Sequence, residues 1–226
     1  MMFSSFSKHS LAIVGAIAAV GMTSFVGANP AQAAIINGNF SSGFSGWNTS
    51  GSTDASSGTA VLTAGAQDVA SIESFLGLAS GTLATIGGAP TNGSAIKQSF
   101  FANAGTVVSF DWLFQANDYL PFNDFAFYSL APVGANLLSN VATVGDYGSS
   151  GQQSLSFTIG TTGAYTLGFG VFNALDNLNS STLSIDNVST GVTPVPTPAL
   201  LPGLIGLGVV ALRKRKAEAV EQASEV

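Results

Sequence analysis

The sequence predicts an all-β protein, an antiparallel β-sandwich of the jelly-roll kind. Short runs rich in β-branched and aromatic residues are separated by stretches of Gly, Ser, Thr and Asn. Several of these runs alternate apolar and polar residues with a period of two, which gives a strand one buried and one solvated face. About seven such strands are expected, which is enough for two packed sheets.

The strand predictions differ in strength along the chain. The clearest alternation covers residues 106–115, 154–159 and 164–173. In the last of these, Gly168 and Gly170 lie on the face opposite the apolar side chains, which is typical of a strand that another backbone or a bulge approaches closely. Weaker strand patterns cover residues 59–63, 95–101, 124–130 and 182–188. Residues 68–80 have helical spacing instead, so one short helix is predicted there.

Residues 1–33 have the pattern of a secretory signal peptide. Lys8 lies in a short polar region, residues 11–20 are apolar, and Ala31 and Ala33 form an A-x-A cleavage signal. The mature chain is therefore expected to begin at Ala34, outside the cytoplasm. The sequence has no cysteine, so an exported domain would be stabilised by its core, with or without metal ions, and not by disulfides.

The central domain, residues 34–190, has a composition that argues against most catalytic chemistry. Between Ala34 and Thr193 there are nine carboxylates, one lysine and no arginine, histidine or cysteine, so nine negative charges against one positive give −8. Ser-His-Asp triads, Cys-His pairs and histidine-ligated zinc all need side chains that this region lacks. The negative charge also disfavours nucleic-acid binding. Paired carboxylates can hydrolyse glycosides without histidine, but Glu73 is the only glutamate in this region. We therefore predict a non-enzyme with no organic cofactor.

The C-terminal part has the layout of a membrane-retention segment. Residues 191–198 form a proline-rich spacer, residues 199–212 are apolar, and residues 213–226 begin with the basic stop Arg213, Lys214, Arg215 and Lys216. The basic stop is expected to stay on the cytoplasmic side, so the central domain would face outward. A helix over residues 199–212 would reach only about 21 Å of a hydrocarbon core of about 30 Å. It is better suited to recognition and processing than to permanent anchoring, with an ordinary C-terminal anchor as the alternative.

The same tail resembles a known sorting signal. Pro196, Thr197, Pro198 and Ala199, followed by the apolar segment and the basic stop, resemble the PEP-CTERM signal in its cyanobacterial PTPA variant. The resemblance implies recognition by an exosortase-type membrane protease, after signal peptidase has acted at the other end. It also implies cleavage near the motif, with transient membrane anchoring and then delivery to the cell surface or extracellular matrix.

The two ends of the central domain supply a first candidate site. The run Asn37-Gly-Asn39-Phe, a following Gly-Trp47, and Ile-Asp186-Asn-Val in the last predicted strand resemble the galactose-binding-like jelly rolls of many carbohydrate-binding modules. The resemblance implies that the two segments lie together and hold a structural calcium through Asn37, Asn39 and Asp186. Ser41 stands where those relatives carry an acidic ligand. The alternative is that Asn37 and Asn39 shape a turn and Asp186 accepts a backbone hydrogen bond.

A second candidate site lies in the loop between the predicted strands 106–115 and 124–130. Asp118 and Asp124 are candidate calcium ligands, because calcium binds carboxylate oxygens. Tyr119, Phe122 and Asn123, together with Trp47 of the first site, are candidate sugar contacts. Residues 110–130 also resemble a pattern common in outer domains of PEP-CTERM proteins, which implies no particular activity. The aromatic residues predicted to be core are Trp112, Phe114 and Phe125.

Two functional hypotheses of different class follow. In the first, this is an exported cell-surface or matrix protein whose non-catalytic β-sandwich binds polysaccharide with calcium. In the second, it is a structural or adhesive matrix protein with no small ligand.

Overall fold

Two antiparallel sheets make up the computed structural model of the protein, which describes residues 34–192. The strands in this range are β1 (Asn48–Ser50), β2 (Ser52–Asp54), β3 (Ala60–Thr63), β4 (Gln67–Asp68), β5 (Pro90–Ala102), β6 (Thr106–Gln115), β7 (Phe125–Ala131), β8 (Gly134–Asn140), β9 (Gln153–Thr158), β10 (Gly163–Ala174) and β11 (Thr182–Val192). The helices are α1 (Val69–Leu76), α2 (Thr82–Gly87) and α3 (Val141–Val144). The prediction of an all-β, antiparallel protein is confirmed.

The strand order is that of a jelly roll. The six-stranded sheet runs β1-β5-β10-β7-β8, with β4 also paired to β5, and the five-stranded sheet runs β2-β3-β11-β6-β9. Without the short strands β1, β2 and β4, the orders are β5-β10-β7-β8 and β3-β11-β6-β9. Eight strands that divide between two sheets in this way form the double Greek key of a jelly roll.

The main core lies between the two sheets. In β6, Phe110, Trp112 and Phe114 alternate inward as predicted, and all three are buried. Phe110 of β6 packs edge-on against Phe169 of β10, with 4.7 Å between the ring centroids. Because these rings come from opposite sheets, this contact is part of what joins the sandwich.

A second apolar cluster lies where α1 and α2 cover the six-stranded sheet. It contains Ile72, Leu76 and Leu83 from the helices with Phe125, Phe127 and Phe172 from the strands. Phe125 is thus buried as predicted, but under the helices and not between the sheets. A Cβ atom on Gly168 would come within 2.5 Å of the Leu76 side chain. A close approach at this glycine is therefore present, but side chains make it, and not the backbone or bulge that the sequence predicted.

The predicted helix at residues 68–80 is present as the shorter α1. Its N-cap, Asp68, accepts a hydrogen bond from the Ser71 amide, and it ends at Gly77 in the left-handed conformation. Glu73 of α1 accepts the amides of Gly81 and Leu83, at 2.9 and 2.8 Å, and so fixes the start of α2.

Several predictions concern residues outside the described range. They are the signal peptide, its cleavage at Ala31 and Ala33, the sorting motif, the apolar segment 199–212 and the basic stop. β11 continues to Val192, so it includes residues 191 and 192, which the sequence predicted as part of the proline-rich spacer. No helix within residues 34–192 has the length and hydropathy needed to cross a bilayer.

Candidate functional site

Three loops meet at one end of the sandwich: residues 116–124, 145–150 and 175–181. We call this region the loop end. The side-chain amide of Asn117 donates to the Ser180 carbonyl at 2.9 Å, which joins the first loop to the third. The backbone amide of Tyr147 donates to the Asp118 carbonyl at 2.8 Å, which joins the second loop to the first. The loop end is therefore one connected surface built from segments far apart in sequence.

An aromatic cluster of Tyr119, Phe122 and Tyr147 covers the loop end. The Tyr119 ring lies 5.5 Å from the Phe122 ring, edge-on, and 5.8 Å from the Tyr147 ring. Tyr119 is 39% exposed and Tyr147 is 58% exposed. Tyr147 was not predicted as a site residue, because it lies in the loop after α3, far in sequence from Tyr119 and Phe122. The only local signal is that it is a tyrosine between Asp146 and Gly148.

The backbone at Tyr147 has a φ of 55°, in the left-handed region. This conformation is uncommon for a bulky residue and costs about 1–2 kcal/mol. It persists here with the Tyr147 amide bonded to the Asp118 carbonyl. A strained backbone that holds an aromatic ring on the surface is a common feature of binding sites.

Polar groups flank the aromatic cluster. Asp146 accepts the Leu120 amide at 3.0 Å through Oδ1, and Asn123 accepts the Ala142 amide at 2.9 Å through its own Oδ1. The structure shows no partner within residues 34–192 for Oδ2 of Asp146 or Nδ2 of Asn123. The pKa of Tyr147 is raised, first by loss of solvation and then by the nearby Tyr119, Asp118 and Asp146. An acceptor, a donor and three rings thus share one surface.

Asp118 and Asp124 lie beneath this surface, and both are fully buried. Asp124 accepts the Ala174 amide at 2.9 Å through Oδ1 and the Ser181 hydroxyl at 2.7 Å through Oδ2. Asp118 accepts the Tyr119 amide at 2.8 Å through Oδ1, whereas its buried Oδ2 has no hydrogen-bond partner among the described residues. Burial raises the pKa of Asp124 to about 6, and the negative charge of Asp118 adds to the increase. The Ser181 hydroxyl that bonds Asp124 also accepts the Asn117 amide at 3.2 Å, so the structure places the two predicted ligands in the same region.

The first candidate site brings the two ends of the domain together. The Val188 amide donates to the Gly38 carbonyl at 2.9 Å. The amide oxygen of Asn37 accepts the Ser42 amide at 3.1 Å, and that of Asn39 accepts the Ser41 amide and hydroxyl. These are the turn-forming roles that were the alternative to calcium binding.

Asp186 likewise accepts a backbone hydrogen bond, from the Asn187 amide at 2.7 Å. Its cross-strand partner on β6 is Asp111. Asp111 accepts hydrogen bonds from Ser154 and Asn187, which lower its pKa. No group of three or more Asp, Glu, His or Cys side chains suited to a metal occurs within residues 34–192. Calcium at Asn37, Asn39 and Asp186 stays a prediction.

Trp47 lies in the core and is only 7% exposed. Its ring lies 5.2 Å from the Phe40 ring and 6.1 Å from the Phe169 ring, and its Nε1 donates to the Asn37 carbonyl. An indole packed in this way is not available to stack on a sugar. We therefore remove Trp47 from the candidate sugar contacts.

Two cavities lie away from the loop end. A groove of about 320 Å³ opens beside the stacked rings of Tyr128 and Phe157, with Val133 and Asn136 on its rim. A polar cleft of about 280 Å³ on the outer face of the five-stranded sheet contains Asp111 and Asp186. Neither is evident from the sequence, because each collects residues from separate strands.

Comparisons with known proteins give only distant similarities. No protein-family model matches the chain, and no curated protein matches it. A structure reported as "CBM4 structure and function" is 14% identical over 68% of this chain and 99% of its own, with a TM-score of 0.37. TmCBM61 in complex with β-1,4-galactotriose is 15% identical over 70% of this chain and 96% of its own (TM-score 0.36). The mannan-recognising module TmCBM27 is 13% identical over 71% and 96% (TM-score 0.39). Similarities this low assign no ligand to this chain.

Proposed function

We propose that this protein is an exported, non-catalytic polysaccharide-binding protein of the cell surface or extracellular matrix. The observation that carries the proposal is the aromatic cluster, in which Tyr119 packs against both Phe122 and Tyr147 at the loop end. Aromatic rings present flat apolar faces, and sugar rings have matching apolar faces formed by their C–H groups. The loop end would therefore be the sugar-binding surface.

The position of the aromatic cluster on the surface indicates a role in binding, and not a role in the core of the fold. Single exposed apolar residues are common on protein surfaces and need no explanation. Here, however, Leu120, Leu175 and Leu178 are also exposed, on two of the same three loops. A concentration of exposed apolar side chains at one place is typical of an interaction site. Asp146 and Asn123 would supply an acceptor and a donor for sugar hydroxyls.

The charge of the domain favours a neutral polysaccharide. Lys97 is the only cationic side chain within residues 34–192. Its Nζ donates to the Phe75 carbonyl and lies 4.4 Å from the centre of the Phe75 ring, so it is already engaged on β5. A sulfated or uronic-acid polymer would meet carboxylates and no free lysine or arginine there.

A non-catalytic role agrees with what the carboxylates contact. Glu73 is engaged at the start of α2, and Asp68 caps α1. Asp111 has a lowered pKa, which suits an ionised hydrogen-bond acceptor and not a general acid at neutral pH. These contacts give the three side chains structural roles.

The proposal is tested by retention of the protein on a panel of neutral and acidic polysaccharides in affinity electrophoresis. We expect retention on at least one neutral polymer, weakened tenfold or more by Tyr119→Ala and by Tyr147→Ala, which corresponds to about 1.4 kcal/mol or more. Val133→Ala, an exposed change at the groove, is the matched control and should bind normally. Tyr147→Ala should change stability by no more than about 0.5 kcal/mol, because its ring is largely exposed.

Two outcomes would contradict the proposal. One is the absence of retention on every polymer, and the other is retention that the loop-end substitutions leave unchanged. If Tyr147→Ala instead abolishes self-association of a protein that binds no polymer, the structural or adhesive alternative is supported.

A further inference from the structure

Asp118 leaves a buried carboxylate oxygen unsatisfied. Its side chain is fully buried, and Oδ2 has no hydrogen-bond partner in the part of the chain that the structure describes. Burying an unpaired charge costs several kcal/mol, and native proteins nearly always provide a partner. A partner from outside residues 34–192 is therefore expected beside this oxygen.

A second buried carboxylate makes that group a cation. The Ser181 hydroxyl that donates to Asp124 at 2.7 Å also accepts the Asn117 amide at 3.2 Å, so Asp124 lies beside the backbone that leads into Asp118. The charge of Asp118 accordingly contributes to the raised pKa of Asp124. The groups bonded to Asp124, the Ala174 amide and the Ser181 amide and hydroxyl, are all uncharged. Lys97, which alone among residues 34–192 carries a positive side chain, is engaged at Phe75. No cationic side chain of residues 34–192 balances this pair.

The chemistry of the surrounding groups selects a hard cation. Within residues 34–192 there is no histidine or cysteine, so the imidazole and thiolate ligands typical of zinc and copper sites are missing. The nearby side-chain groups are oxygens. Calcium accepts about six to eight oxygens in variable geometry.

We propose that Asp118 and Asp124 bind a calcium ion beneath the aromatic cluster, and that this ion holds the loop 116–124 in its binding conformation. The two carboxylates stand near the two ends of the loop that carries Tyr119 and Phe122. An ion bound by both would close this loop, and it would also fix the Asp118 carbonyl that positions Tyr147. The link to sugar binding rests on the proposed function, whereas the ion site itself does not.

The ion site is tested by calcium titration of the chelator-treated, full-length protein, followed by calorimetry and by thermal unfolding. We expect one saturable site and, at calcium about 100-fold above Kd, a rise in Tm of about 5 °C or more. Asp118→Asn and Asp124→Asn should lose both responses. The matched control is Asp54→Asn, the same change at an exposed carboxylate on β2, which should respond like the unsubstituted protein.

The Tm of the Asp118→Asn variant in chelator shows whether this variant still folds. In chelator we expect its Tm to equal or exceed that of the unsubstituted protein, because the change removes a buried negative charge next to Asp124 and keeps an oxygen for the Tyr119 amide. The proposal is overturned if the unsubstituted protein shows neither heat nor a Tm shift with calcium. It is also overturned if both Asn variants keep the response. A protein stabilised by acid and not by calcium would show that a proton is the missing partner.

Sugar retention in calcium and in chelator separates the two proposals. Retention that chelator abolishes supports both. Calcium binding without retention on any polysaccharide supports the ion site and contradicts the proposed function. Retention that is insensitive to chelator, in a protein that binds no calcium, overturns the ion site and leaves the proposed function standing.

Discussion

Trp47 and Tyr147 are both aromatic residues beside a glycine in a loop or turn, yet they have opposite roles. Trp47 precedes β1 and its indole enters the space between the sheets, where it contacts Phe40 and Phe169. Tyr147 has a left-handed backbone and its ring stays on the surface. Burial, and not residue type, therefore decides which of the two can contact a ligand.

Asp124 makes the stability of the metal-free protein depend on pH. Its pKa is about 6 in the folded protein, against 3.8 for the unperturbed group, so the folded state binds more protons than the unfolded state between these values. The stabilisation of the folded state by protonated Asp124 is fully present below pH 3.8, and it is lost as the pH rises through about 6. In chelator we expect the free energy of unfolding to fall by on the order of 2 kcal/mol from pH 4.5 to pH 7.5.

Urea unfolding at a series of pH values measures this effect. Asp124→Asn should flatten the dependence, whereas Asp54→Asn should leave it unchanged above pH 4.5, because hydrogen bonds from Ser56 lower the Asp54 pKa. A free energy of unfolding that rises steadily from pH 4.5 to 7.5 would contradict the prediction.

At the scale of elements, the end of β11 closes the sandwich against the N-terminal turn. The Gly38 carbonyl accepts the Val188 amide, and a Cβ atom on Gly38 would lie only 1.8 Å from the Val188 carbonyl oxygen. Backbone atoms cannot rotate away as side chains do. Only glycine therefore allows the turn and β11 to meet at this distance.

We expect Gly38→Ala to separate the turn from β11 and to lower the free energy of unfolding by about 2–3 kcal/mol. Gly160→Ala is the control, because a Cβ atom there meets nothing within 4 Å. Chemical denaturation of the two variants measures the difference. Equal stabilities would show that the turn can move without cost.

At the scale of the whole molecule, processing at both termini is the open prediction. If the signal peptide and sorting tail act as proposed, protein recovered from the surface of its native cells should begin at Ala34 and end near the motif Pro196, Thr197, Pro198 and Ala199. Intact-mass spectrometry checks both ends in one experiment. Surface protein that still carries Lys214 and Lys216 would instead indicate permanent anchoring.

Much of the fold was predictable because strand patterns are local. β6 begins and ends where the alternation predicts, and β10 and β11 were also found from their own residues. β8 was missed, because its sequence GANLLSN contains three polar residues and no regular apolar face. It lies at the edge of its sheet, where only β7 pairs with it, so its identity as a strand depends on that neighbour.

The fold class, the strands with alternating faces, and the loop that contains Asp118, Tyr119, Phe122 and Asp124 could all be predicted from the sequence. So could the acidic composition of residues 34–192 and their lack of histidine. Each follows from residue types or from spacing within one segment. The packing of distant segments was needed to show that Trp47 is core and that Tyr147 joins the aromatic cluster. It also decided that Asp118 and Asp124 are buried together beneath that cluster. Burial and proximity depend on which distant segments pack together. The residues of one segment do not show which other segments will contact it.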